Sequence, residues 1–141
     1  MRIATLTLAS LLTLPATHFA MANDSVSIEP GLWEISTTMT MPMLPQPRVQ
    51  TQQECIKNSQ ISPQDLAPSE NGECSTLEAK VSGDTLSWSM QCNTPGGCMK
   101  GHGSFESKGD SGSGNMTMNM DINGQSFSMD MVWKGRRLGS C

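Results

Sequence analysis

The chain predicts an all-β protein, an antiparallel up-and-down meander of about seven strands forming a small barrel, a half-open barrel or a sandwich. Three observations predict it. Across residues 114–133 apolar residues take every second position: Met116, Met118 and Met120 before Asn123-Gly124, then Phe127, Met129, Met131 and Trp133 after it. Strict alternation marks a strand with one buried and one wet face, and Asn-Gly supplies the two positive-φ residues of a two-residue hairpin turn. With that loop Met120 faces Phe127, Met118 faces Met129, Met116 faces Met131 and Gly114 lies under Trp133, so pattern and register agree. The second observation is another turn signal at Ser82-Gly83-Asp84, between runs that carry Cys74 and Cys92. The third is the lack of any apolar stripe at helical spacing longer than two turns.

Taken in order, residues 1–22 read as a secretory signal peptide: Met1-Arg2, an apolar stretch over 3–14, Pro15, and a small-x-small site at Ala20-Met21-Ala22. Residues 23–141 then form a single β domain, and no later stretch is apolar enough to span a membrane as a helix. Residues 23–30 read as a polar lead-in. The first strand covers 31–41, with Trp33, Ile35, Thr37, Met39 and Met41 on one face. Pro42, Pro45 and Pro47 end it, because proline cannot donate to a ladder. A strand over 48–55 follows. Ser62-Pro63 starts one helical turn, with Ser62 as cap and Pro63 at the first position, and Pro68 stops it. Further strands are expected near 73–81, 85–92 and 98–106. A Gly/Ser turn over 109–114 precedes the methionine hairpin, and 136–141 closes the chain.

Export makes disulfides plausible. The five cysteines are Cys55, Cys74, Cys92, Cys98 and Cys141, an odd number, so one is free or links two chains. A three-residue loop at 82–84 sets Cys74 opposite Cys92. A two-residue loop at Gly83-Asp84 pairs Leu77 with Met90 and Ala79 with Trp88 and puts the cysteines on opposite faces; a bulge satisfies both. Cys74–Cys92 is the favoured pair. Cys55–Cys141 then closes a ring of about 87 residues, worth ~4–5 kcal/mol in the chain-entropy model. Cys98 is left over, which allows a monomer or a Cys98-linked dimer.

Formal net charge is −4, and the only basic cluster is Lys134, Arg136 and Arg137. Nucleic-acid binders show a basic stripe, so nucleic acid is an unfavoured partner. Enzyme constellations are missing too. His102 is the one histidine beyond the leader, and the chain has no Gly-x-Ser-x-Gly elbow, phosphate loop or Cys-x-x-Cys pair. The carboxylates fall on predicted wet faces. Cys98 and His102 form Cys-x-x-x-His, but four residues of strand span roughly 13 Å, too far for one shared ion.

Pro30-Gly31-Leu32-Trp33-Glu34 opens the body of the chain, Ser82-Gly83-Asp84-Thr85 leads into Trp88 and Cys92, and Gly135-Arg136-Arg137-Leu138-Gly139-Ser140-Cys141 closes it. On these segments the chain resembles the DUF3617 family of small exported Gram-negative proteins, which has no assigned activity. The resemblance implies a periplasmic location and covers Cys55, Cys74, Cys92 and Cys141, but not Cys98. Gly31-x-Trp33 with Arg137 also resembles lipocalin-like barrels. That likeness implies a first-strand tryptophan under an arginine of the closing strand, a cation–π contact that seals one end.

The methionines carry the remaining chemistry. Of twelve, all but Met1 and Met21 lie beyond the leader. Met fills irregular cores and adaptable apolar pockets, and its thioether is also a soft ligand for Cu(I). The expected function is a non-enzymatic, cofactor-free periplasmic binding or interaction module for an apolar small molecule, lipid or envelope protein. Trp33, Trp88, Met116, Met118, Met120, Phe127, Met129 and Met131 are the expected pocket wall. The alternative is a Cu(I)-binding protein using Met39, Met41 and Met43 beside the proline-rich loop.

Overall fold

The computed structural model describes residues 24–67, 73–122 and 124–141. The expected leader, Pro68 and Asn123 lie outside the described residues. Nine strands follow in order: β1 (Val26–Ser27), β2 (Gly31–Thr40), β3 (Arg48–Ile56), β4 (Gln60–Ile61), β5 (Glu73–Ser82), β6 (Thr85–Thr94), β7 (Gly97–Ser107), β8 (Ser111–Ile122) and β9 (Gln125–Gly139). Seven of them make one antiparallel sheet in the order β3-β2-β9-β8-β7-β6-β5; β1 and β4 pair separately. Among the described residues the outer strands β3 and β5 do not pair with each other, so the sheet is not closed into a barrel, consistent with a half-open barrel or sandwich. A closed barrel of the lipocalin-like kind is thereby ruled out.

The methionine hairpin takes the expected register. Met116↔Met131, Met118↔Met129, Met120↔Phe127 and Gly114↔Trp133 are all partners, and the ladder runs up to Ile122↔Gln125. Gly124 holds φ at 78°, as a primed turn requires. Both strands are longer than their alternation suggested. β8 starts at Ser111, inside the expected Gly/Ser turn, and β9 runs through Gly139 because Arg136 and Arg137 pair with Glu34 and Trp33 of β2.

The second hairpin resolves the cysteine conflict with a bulge. Near the turn Val81↔Leu86 and Ala79↔Trp88 follow the two-residue loop; beyond it Thr76↔Met90 and Cys74↔Cys92 are shifted by one, leaving Leu77 unpaired. The expected Leu77–Met90 pair therefore does not form, and Leu77 is exposed. The bulge turns both cysteines to one face, where Cys74–Cys92 closes. Deleting Leu77 should leave the flanking pairs and this disulfide intact, since they already agree across the bulge. A thiol titration should still find one free cysteine per chain; three would show that the bulge itself positions the pair.

Small residues lie beneath large ones on one face of the sheet. Along one row Met39, Met131, Met116, Gly103, Trp88 and Ala79 are successive partners. A Cβ on Gly103 would lie 2.7 Å from Trp88 Cζ2 and 2.6 Å from the Asn115 carbonyl oxygen, so only glycine lets the indole lie flat there. Leu86, Met90, Cys92, Met116 and Met118 are fully buried on the same concave side.

Residues 23–30 are not a polar lead-in. Val26 and Ile28 are buried, β1 pairs with β4, and Ile28 bridges Gly109. Buried Ser107 fixes this segment by donating its hydroxyl to the Ser27 carbonyl at 2.5 Å. A 3-10 turn (Pro63–Leu66) follows β4, at the predicted place. The Ser62 N–H and hydroxyl both donate to Asp65 Oδ2, at 2.8 and 2.7 Å. Together β1, β4 and the 3-10 turn form a strap over part of the concave face.

Candidate functional site

Between strap and sheet lies a cavity of about 300 Å³. Its sheet wall is Trp33, Ile35 and Thr37 of β2, Gln52 and Ile56 of β3, Phe105 of β7, Gly112 of β8, and Met131, Trp133 and Gly135 of β9. The strap contributes Ile28, Ile61, Asp65, Leu66 and Ala67. Alternation explains the sheet side: β2 and β9 each present every second residue inward, and their pairing sets Ile35 beside Gly135 and Thr37 beside Trp133. Thr37, Gln52 and Asp65 place a hydroxyl, an amide and a carboxylate in an otherwise apolar wall, the usual make-up of a small-molecule site.

The expected pocket residues divide. Trp33 and Met131 line the cavity; Trp88, Met116, Met118, Met120, Phe127 and Met129 do not border it. Met116 and Met118 are 1% and 0% exposed, and both lie over Gly101 of β7, where a Cβ would meet the Met118 sulfur and come within 3.1 Å of Met116 Cε, so they are packed core. Trp88 is buried as well, and its Nε1–H has no hydrogen-bond partner among the described residues. The cavity thus sits toward the β2–β9 end of the sheet and meets the methionine stripe only at Met131. The strap residues were missed because each apolar run there is short. The alternation Val26-x-Ile28 was the one available signal.

Trp33 is 1% exposed and is the ladder partner of Arg137. Its Nε1–H donates to the Glu29 carbonyl at 2.9 Å, and its ring lies against Gly135, where a Cβ would be 3.3 Å from Cε3. Arg137 donates Nε–H to the Pro30 carbonyl at 2.8 Å and lies against Gly31. On the outer face Arg136 grips Glu34 Oε1 with Nε and Nη2 at 3.0 and 2.8 Å.

Cys55 and Cys141 form the second disulfide. Leu32 pairs with Cys55 on one side and Gly139 on the other, so the bond clips β3 to the end of β9 across β2. Cys98 is free and exposed, and His102 is exposed on the same strand, as its parity suggested. Among the described residues no three His, Cys, Asp or Glu side chains gather as a metal site. Met39 packs against the core beside Met131, Met41 is half-buried just past β2, and Met43 is exposed. No helix among the described residues is long and apolar enough to cross a membrane.

No curated protein and no solved structure matches the chain. A family model described as "Protein of unknown function (DUF3617)" matches residues 28–141, which span every strand from β2 to β9 and both disulfides. The chain that builds this strapped half-barrel belongs to the DUF3617 family.

Proposed function

We propose that the protein is a non-enzymatic periplasmic binding module that takes a small apolar molecule, such as a single acyl chain, between strap and sheet. The observation that carries this reading is the cavity itself. At about 300 Å³ it is at the lower end of small-molecule sites, roughly 300–1,000 Å³, and two indoles, Phe105, Met131 and four isoleucines wall it. Two disulfides and the leader-like N-terminus support export to an oxidising compartment.

The test uses N-phenyl-1-naphthylamine, an apolar dye that brightens when it leaves water. The oxidised protein should bind it saturably at one dye per chain. Ala67→Trp, which extends an indole from the strap into the cavity, should weaken binding at least ~10-fold, about 1.4 kcal/mol. Met118→Leu changes only the packed core and should leave affinity within about threefold. No saturable binding, or equal binding by Ala67→Trp, overturns the proposal.

A further inference from the structure

The two outer strands of the sheet are not equally protected. β5 carries the Leu77 bulge and the charges Glu73, Glu78 and Lys80, devices that discourage a neighbour from pairing. β3 has none of them along its middle. It pairs with β2 without a break from Gly31↔Ile56 to Met39↔Arg48. Residues 49–53 are uncharged, no proline interrupts them, and every side chain from Arg48 to Glu54 is exposed. Its outer row of backbone N–H and C=O groups has no partner strand among the described residues.

We propose that two copies of this chain join through β3, antiparallel about a two-fold axis at Thr51. Arg48 and Glu54 lie three residues either side of Thr51 and share the concave face. Among the described residues neither has an ion-pair partner within the chain. In this register Arg48 faces Glu54 of the partner subunit, and symmetry repeats the pair. Gln50 faces Gln52 of the partner subunit, amide to amide. Every facing pair shares parity, so both copies keep their polar and apolar faces aligned. Pairing centred on Gln50 or Gln52 forfeits both charge pairs. The joined ladder adds about six to eight main-chain hydrogen bonds. Gln52 also belongs to the cavity wall, so the second copy extends the open side of the trough where β3 now ends it. This inference does not depend on what the cavity holds.

Sedimentation equilibrium on the oxidised chain carrying Cys98→Ser, which removes thiol-linked dimers, tests it. A reversible dimer is expected below about 100 µM. Arg48→Glu and Glu54→Arg each set like charges face to face twice and should raise the dimer dissociation constant at least ~10-fold. The double swap Arg48→Glu/Glu54→Arg restores both pairs and should return it to within about threefold. Thr51→Cys should cross-link with itself under air oxidation, as the directly opposed Cys74 and Cys92 do within the chain, while Gln53→Cys should not. A monomer throughout, single reversals without effect, a double swap that fails to recover, or no cross-link at position 51 each overturns the proposal.

Discussion

Replacing Cys55 and Cys141 by alanine is expected to lower the unfolding free energy by about 4–5 kcal/mol, the largest loss foreseen for any pair of residues here. The two cysteines are 86 positions apart, so the bond closes a ring that contains β4 through β9. In the unfolded chain that ring removes a large share of the accessible conformations, and the loss grows with the logarithm of its length. The Cys74–Cys92 bond spans 18 positions and by the same relation is worth about 3 kcal/mol. A domain of this size has only ~5–15 kcal/mol in total. The difference is also local. β3 is exposed along nearly its whole length and packs little against the core, so beyond its ladder to β2 the disulfide is its main tie. Urea unfolding of Cys55→Ala/Cys141→Ala should show a much lower midpoint, and hydrogen exchange should show β3 amides losing protection first. A loss no larger than that from Cys74→Ala/Cys92→Ala would show that ring length is not what sets the effect.

Gly31→Ala should cost about 3–5 kcal/mol, unusually much for one methyl group. Gly31 holds φ at +151°, a conformation L side chains rarely adopt. Its missing Cβ is also the reason the chain end can close over it: a methyl there would meet the Gly139 carbonyl oxygen and lie 2.6 Å from Arg137 Nε. Backbone cannot give way as a flexible side-chain tip does. Relief would require β9 to part from β2 near Leu32↔Gly139 and Arg137 to release the Pro30 carbonyl. The urea midpoint of Gly31→Ala is the measurement. A shift below ~1 kcal/mol would mean that this end of the sheet is soft and does not hold the closure.

What the residue order made legible is local and periodic. The methionine hairpin shows this best, because a two-residue Asn-Gly loop and an alternating stripe specify the same register independently. A second turn was legible near 82–84, but its loop length stayed open between two and three residues, and a bulge such as the one at Leu77 was only one way to reconcile them. The exposure of His102 followed from parity alone. By contrast, the site was only partly legible. The methionine stripe marked the buried face, but inward-facing is not the same as cavity-lining. Gly101 lets Met116 and Met118 pack solidly against β7, and the space remains at the other end of the sheet.

Three features were decided only in three dimensions. The strap lies over the sheet because Val26, Ile28 and Ile61 find the concave face across long stretches of chain; two or three apolar residues in a run carry too little periodicity to announce a partner. The sheet stays open because, among the described residues, neither outer strand meets the other, an outcome of accumulated twist and curvature that no single strand's sequence contains. The main-chain partners of Trp33 and Arg137 came from which backbone carbonyls lie beside them, Glu29 for the indole and Pro30 for the guanidinium. Strand pattern and turn chemistry act between near neighbours and can be read along the chain. Cavities and sheet edges are made by segments that meet only after folding, so sequence alone determined the strands and their pairing and tertiary structure decided where the cavity lies.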